Sequence, residues 1–281
     1  MPLAQLMTPD RLAERLDQPG LVVLDCRFAL DDPDYGRRSH TQGHIPGAVF
    51  ADLEQDLSAP VKPGITGRHP LPDPHALQAT LRRWRIDQDS QIVFYDDGPG
   101  AFAARAWWLL LWLGKRDGLY LLDGGFKAWC EAGLPVDAQT PEPGAGQFTG
   151  RPDPDLLIDA DTLARRLDDQ QLALLDARAL PRYLGEVEPI DPVAGHIPGA
   201  SCMPFTDNLD ANGRFLPPER LRQRFEAVLA DKPAQQTVVY CGSGVTACHN
   251  AFAISLAGLG LPRLYAGSWS EWITNPQRPI A

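Results

Sequence analysis

Short apolar runs punctuate this chain at regular intervals, and between them lie stretches with helical periodicity. Leu21-Val-Val-Leu24 and Leu172-Ala-Leu-Leu175 each lead into an Asp-x-Arg triplet, Asp25–Arg27 and Asp176–Arg178. Val93-Phe-Tyr95 and Thr237-Val-Val-Tyr240 are further runs of the kind that forms buried strands. Residues 247–259 are almost wholly apolar and long enough for a buried helix. Thr8-Pro9 ahead of residues 11–16 supplies an N-cap with proline at the first helical position. Strand and helix alternating in this way predict a parallel sheet flanked by helices, an α/β chain. In such sheets ligands bind at the C-terminal ends of the strands.

The pattern occurs twice. Besides the two Leu-Asp-x-Arg segments, Gly43-His-Ile-Pro-Gly-Ala48 returns as Gly195-His-Ile-Pro-Gly-Ala200. Leu121-Leu-Asp-Gly-Gly-Phe-Lys-Ala-Trp129 returns as Leu264-Tyr-Ala-Gly-Ser-Trp-Ser-Glu-Trp272. The order is the same in both halves, so the chain is read as two copies of one domain. The expected boundaries are 1–137 for the first domain, 138–153 for a Pro/Gly-rich linker, and 154–281 for the second domain.

At 281 residues the chain is long enough for two cores, and its 44% hydrophobic and 22% charged residues are those of a globular protein. A net charge of −10 without any run of Lys or Arg argues against a nucleic-acid or anionic-membrane partner. The first ten residues have no basic stretch followed by an apolar one and read as a mature start. The apolar run 101–113 contains Arg105 and is too short for a bilayer. Its Trp107, Trp108 and Trp112 read as packing residues. Five cysteines, an odd number with no C-x-x-C pair, argue against a disulfide framework or zinc site and for a reducing, cytoplasmic setting. No cofactor or metal motif is present.

The candidate chemistry lies in Cys241-Gly-Ser-Gly-Val-Thr246, between the last buried strand and the apolar helix. A cysteine there faces converging backbone N–H groups at a positive helix end, which favours a thiolate and would hold an anionic persulfide. Gly242 and Gly244 are expected to let the backbone curl around the anion, with Val245 and Thr246 completing the cradle. An inert buried cysteine is the ordinary alternative. The repeat argues against it, because the first half carries Asp96 at the equivalent position. His44 and His196, Arg27 and Arg178 occur in both halves and are expected to be structural; Cys248 is expected to pack.

The Cys241 loop, the two Gly-His-Ile-Pro-Gly-Ala segments and Gly267-Ser-Trp-Ser-Glu-Trp272 resemble the rhodanese (sulfurtransferase) family over nearly the whole chain. The resemblance implies two rhodanese-like domains, the first inactive. It also implies a ping-pong cycle in which Cys241 takes sulfur from a small anionic donor and passes it to cyanide or a thiol, a thioredoxin-like protein among the candidates. Cys-Gly-Ser-Gly-Val-Thr resembles the loop of 3-mercaptopyruvate sulfurtransferases, whereas animal thiosulfate sulfurtransferases carry Arg and Lys after the cysteine. The same resemblance implies a relay of Ser243, His69 and either Asp52 or Glu54, and a donor-binding role for Arg182. It departs at Glu188-Pro-Ile190, where mercaptopyruvate enzymes carry a carboxylate-binding arginine. For His69 the bland expectation is a surface-loop residue. Thiosulfate is the alternative donor, and a non-catalytic binding module is the rival of another class. A phosphatase of related fold would need an arginine six residues after Cys241, where this chain has Ala247.

Overall fold

The computed structural model of the chain describes residues 3–139, 141 and 144–281. Thr140, Glu142 and Pro143 of the expected linker, and the first two residues of the expected start, lie outside the described residues. Contacts divide the chain into two compact units. The first comprises Met1–Ala59, Pro72–Asp153 and Ala211–Phe215; the second comprises Pro60–Leu71, Pro154–Asp210 and Leu216–Ala281.

In the first unit, β1 (Leu6–Met7), β2 (Leu21–Asp25), β3 (Val49–Phe50), β4 (Gln91–Tyr95) and β5 (Leu119–Leu122) form one parallel sheet in the order β1-β5-β4-β2-β3. Its helices are α1 (Pro9–Ala13), α2 (Tyr35–Gln42), α3 (Pro74–Arg83), α4 (Ala101–Trp112) and α5 (Gly125–Glu131). Thr8 caps α1 as expected, its hydroxyl accepting from the N–H of Arg11 at 3.4 Å, with Pro9 next. The apolar run 101–113 forms α4, which is buried on nearly every side, Trp107, Trp108 and Trp112 included. An all-round apolar helix is stable only in such a place.

The second unit repeats the plan with β6 (Ala173–Asp176), β7 (Ser201–Cys202), β8 (Thr237–Tyr240) and β9 (Arg263–Leu264), all parallel in the order β7-β6-β8-β9. Helices α6 (Ala160–Ala164), α7 (Leu180–Tyr183), α8 (Pro218–Leu229), α9 (Thr246–Leu256) and α10 (Ser268–Trp272) complete it. Among the described residues, no helix is long and apolar enough to cross a membrane.

The repeated motifs have one structural purpose in both units. Arg27 grips the Asp25 carboxylate through Nε and Nη2, the latter at 2.6 Å, and Nη2 also donates to the carbonyl of Gly43 at 2.7 Å. Arg178 does the same with Asp176 at 2.6 Å and the carbonyl of Gly195 at 2.8 Å. The end of the central strand is thereby tied to the Gly-His-Ile-Pro-Gly turn. The tyrosine that ends the neighbouring strand accepts from that turn's isoleucine amide: Tyr95 from Ile45 at 3.4 Å, Tyr240 from Ile197 at 3.2 Å. Removing one partner of a buried ion pair of this kind costs about 3–5 kcal/mol. His44 and His196 each place Nδ1 against a carbonyl of the preceding segment, those of His40 and Tyr183, at 2.7 and 2.8 Å. These are fold-holding contacts in each copy.

Candidate active site

Cys241 follows the last residue of β8 and is buried. The backbone N–H of Gly244 donates to its Sγ at 3.2 Å. The entry to the loop is fastened to the start of α10: the Cys241 amide donates to Ser268 Oγ at 3.1 Å. The amides of Trp269 and Ser270 donate to the carbonyls of Cys241 and Gly242, both at 2.9 Å. Gly244 has φ +78, and a Cβ there would lie 2.3 Å from the carbonyl oxygen of Ala266, so only glycine fits. At Gly242 the neighbours are of another kind. Its φ is unexceptional, but a Cβ on it would lie 2.8 Å from Nη2 of Arg68 and 3.6 Å from both terminal nitrogens of Arg182. Two guanidinium groups converge on the residue after the cysteine. Thr246 opens α9, and Val245 at the N-cap offers no side-chain acceptor to its first turn.

The first unit has the same loop with its acceptor built in. The Asp96 carboxylate accepts from the amides of Gly98 at 3.1 Å, Gly100 at 2.9 Å, Phe102 at 2.9 Å and Ala103 at 3.4 Å. It is buried; desolvation lifts its pKa, against the pull of those amides. The strand-to-α-helix loop of the first unit therefore forms a ring of amide donors that a carboxylate fills.

His69 corrects the expectation of a surface histidine: it is buried, and its Nδ1 lies 2.8 Å from Ser243 Oγ. Although its sequence position is in the first half, it belongs with residues 60–71 to the second unit. Asp52 and Glu54 belong to the first unit. The Asp52 carboxylate accepts there from the amides of Glu54 at 3.0 Å and Gln55 at 3.2 Å and from Arg37 at 3.0 Å. Glu54 is exposed.

Arg182 is held by Glu188 at 2.7 Å and Asp191 at 3.1 Å. Burial works against the Glu188 charge, but Arg182 and the amides of Asp191 and Ile190 outweigh it, so its pKa falls below the usual range. Asp191 also binds Arg68 through Nη1. Ile190, where the resemblance calls for an arginine, points into solvent at 42% exposure. Arg68 is the residue that sequence reasoning missed. Its only sequence signal was a cation directly before His69.

The rhodanese-like domain profile matches residues 8–132 and again 159–275. The chain belongs to the rhodanese family of sulfurtransferases. It is an enzyme of that class, built from two rhodanese-like domains. It is 66% identical over its full length, covering 99% of the relative, to a Pseudomonas aeruginosa protein named "Probable 3-mercaptopyruvate sulfurtransferase". To the thiosulfate sulfurtransferase of Cricetulus griseus it is 35% identical, over 90% of this chain and 85% of the relative. The crystal structure of SseA from Escherichia coli, a 3-mercaptopyruvate sulfotransferase with the rhodanese fold, superposes with a TM-score of 0.81 at 31% identity, over 95% of this chain and all of that one.

Proposed function

We propose that this rhodanese-family enzyme moves sulfur from 3-mercaptopyruvate to a thiophilic acceptor through a persulfide on Cys241. The observation that carries the reading is the His69–Ser243 contact at 2.8 Å beside a cysteine whose sulfur already accepts an amide N–H. The Cys241 thiolate attacks the donor sulfur and the carbon–sulfur bond breaks, its electron pair remaining on carbon. The proton of the donor thiol ends on the methyl group of pyruvate, and Cys241 is left as an anionic persulfide. The Ser243 hydroxyl, oriented by His69, polarises the ketone that takes up this electron pair. The amides of the 242–246 loop hold the persulfide; Asp96 in the same loop of the first unit supports this, as a carboxylate already held by four such groups. Arg182 binds the donor's carboxylate. Cyanide or a thiol, including that of a thioredoxin-like protein, then removes the outer sulfur. All five cysteines are free, which fits a reducing cytoplasmic setting.

Thiosulfate is the second reading, favoured by the two arginines at Gly242, which suit a dianion. The deciding experiment compares specificity constants for the two donors with cyanide as common acceptor, and weighs the protein after each donor alone. Mercaptopyruvate is expected to be the better donor and to add one sulfur atom, with none added to Cys241→Ser. A higher constant for thiosulfate hands the assignment to the second reading; full activity of Cys241→Ser overturns both.

A further inference from the structure

We propose that a cavity walled by Arg263, Tyr265 and Glu271 is a second ligand site, which Cys241 does not line, for a small zwitterionic amino carboxylate. The cavity measures about 690 Å³ and lies wholly within the second unit. Ile65, Leu71, Leu157 and Ile158 give it apolar walls that suit an aliphatic body. Its polar groups are incompletely paired. Nε of Arg263 and the hydroxyl of Tyr265 are both buried without a hydrogen-bond partner among the described residues. These two residues share a face, because the ladder of β9 continues through Tyr265, whose amide donates to the Val239 carbonyl at 3.0 Å. The Glu271 carboxylate lies over the bare backbone of Gly267, where any side chain would collide with Oε2. Among the described residues Arg263 and Glu271 form no ion pair, with each other or with a third group.

The groups around Glu271 leave it short of a cation. Arg278 is committed to Asp161 at 3.2 Å and to the Glu271 carbonyl at 3.1 Å. Asp159, also on the cavity wall, caps α6 through the amide and hydroxyl of Thr162, at 2.7 and 3.0 Å. Burial raises the Glu271 pKa against the pull of Arg278, with Asp159 and Asp161 adding to the rise. The fold itself does not call for these polar groups. The first unit carries Tyr120, Leu122 and Ala128 at the aligned positions. Tyr120 stands opposite Val93 there as Arg263 stands opposite Val238. An unpaired buried donor is costly, and a bound ligand relieves that cost. One molecule with an ammonium for Glu271 and a carboxylate for Arg263 answers both charges, and the Tyr265 hydroxyl serves either end as donor or acceptor. The cavity also backs the catalytic loop. Gly67 in one wall precedes Arg68 and His69, and Gly267 in another precedes the Ser268–Ser270 stretch that fastens Cys241.

The test is calorimetric titration of the full chain with L-leucine, which holds its two charges close, and with ε-aminocaproate, which holds them apart. At least one is expected to bind, and its N-acetyl and carboxamide derivatives, each keeping one charge, are expected not to. Glu271→Gln and Arg263→Gln should each weaken the interaction roughly ten- to a hundredfold, the value of one charge-assisted contact. Tyr265→Phe separates a ligand contact from a structural one. It should weaken binding roughly two- to tenfold while leaving the melting temperature of the free protein unchanged or higher, because the hydroxyl it removes has no partner. Arg182→Gln should bind as wild type does. No heat from either probe at millimolar concentration overturns the proposal, as does equal binding of a singly charged derivative. So does binding lost in Arg182→Gln and kept in Glu271→Gln, which moves the ligand to the cysteine loop. If Glu271→Gln or Arg263→Gln does not fold, the derivatives on wild type and the Tyr265→Phe variant decide. A Tyr265→Phe with lowered melting temperature and unchanged affinity overturns the proposal equally.

Discussion

Ser243 and His69 meet at 2.8 Å across a separation of 174 residues, and both are buried. A hydrogen bond between two largely buried groups restricts the orientation of each, because little solvent competes for it. The hydroxyl of Ser243 is therefore held against the imidazole of His69.

Ser243→Ala and His69→Asn should accordingly lower kcat/KM for mercaptopyruvate by about 10²–10⁴, the usual worth of a positioned proton relay. Sulfur loading from thiosulfate, which has no ketone to polarise, should change far less. Parallel steady-state assays with the two donors check this, and equal losses for both would remove the relay.

The two loop glycines should fail differently when each is changed to alanine. Gly244→Ala meets a left-handed backbone and the Ala266 carbonyl at 2.3 Å, neither of which can give way. It should destabilise the protein by at least about 1–3 kcal/mol, read as a lowered Tm. Gly242→Ala meets the far end of the Arg68 side chain, which can swing aside. That variant should keep its Tm while its KM for the donor rises.

Selective labelling follows from how burial treats the other thiols. Desolvation, reinforced by Asp176, pushes Cys202 up to about 11, and burial beside Asp25 lifts Cys26 well above the ordinary thiol range. A raised folded-state value means the neutral thiol is the stabilising form. That stabilisation is complete below the unfolded value near ~8.5 and is lost as pH rises through the folded one, for Cys202 about 11. At pH ~8, iodoacetamide should leave Cys26 and Cys202 unmodified, and prior loading with donor should shift the adduct at Cys241 to the outer sulfur, heavier by one sulfur atom. Peptide mapping of the alkylated protein reads this directly.

A fragment of residues 154–281 lacks the segment 60–71 that belongs to its unit. It loses His69, Arg68 and the bond from the Arg68 amide to Ser270 Oγ. Its mercaptopyruvate kcat/KM should fall by more than that of either single variant. Mass spectrometry should still detect slow sulfur loading at Cys241, because the loop and its fastening to α10 are intact. A fragment as active as the full chain would contradict the placing of Arg68 and His69 at the site.

The repeat was the most legible feature of the sequence, because Asp-x-Arg and Gly-His-Ile-Pro-Gly are local words whose pairing the structure then joins through one guanidinium. The loop was legible for the same reason: Cys241, Gly244 and the helix start are neighbours in sequence. Residues 60–71 were not. Their prolines and glycines have the composition of a surface loop, and nothing local announces burial against Gly267 and Ser270. Arg68 was invisible because its role is set by Asp191, 123 positions away, and by the bare backbone of Gly242. Gly242 was legible as a loop glycine while the cations that border it were not. Crowding by cations cannot be distinguished from a positive φ until the partners are in place.

Asp96 also bears on how much the loop must move when sulfur arrives. In the first unit the ring of amides is drawn around a side-chain carboxyl group by the fold itself. If the same backbone in the second unit receives an anion, its dipoles are already aligned, so loading Cys241 requires little reorganisation energy. The first unit then doubles as an internal standard. The amide resonances of Gly98, Gly100, Phe102 and Ala103 mark the saturated condition of the cradle, in the same tube and at the same temperature. The approach of the Gly244 resonance toward them would follow occupancy at Cys241 without any label on the sulfur.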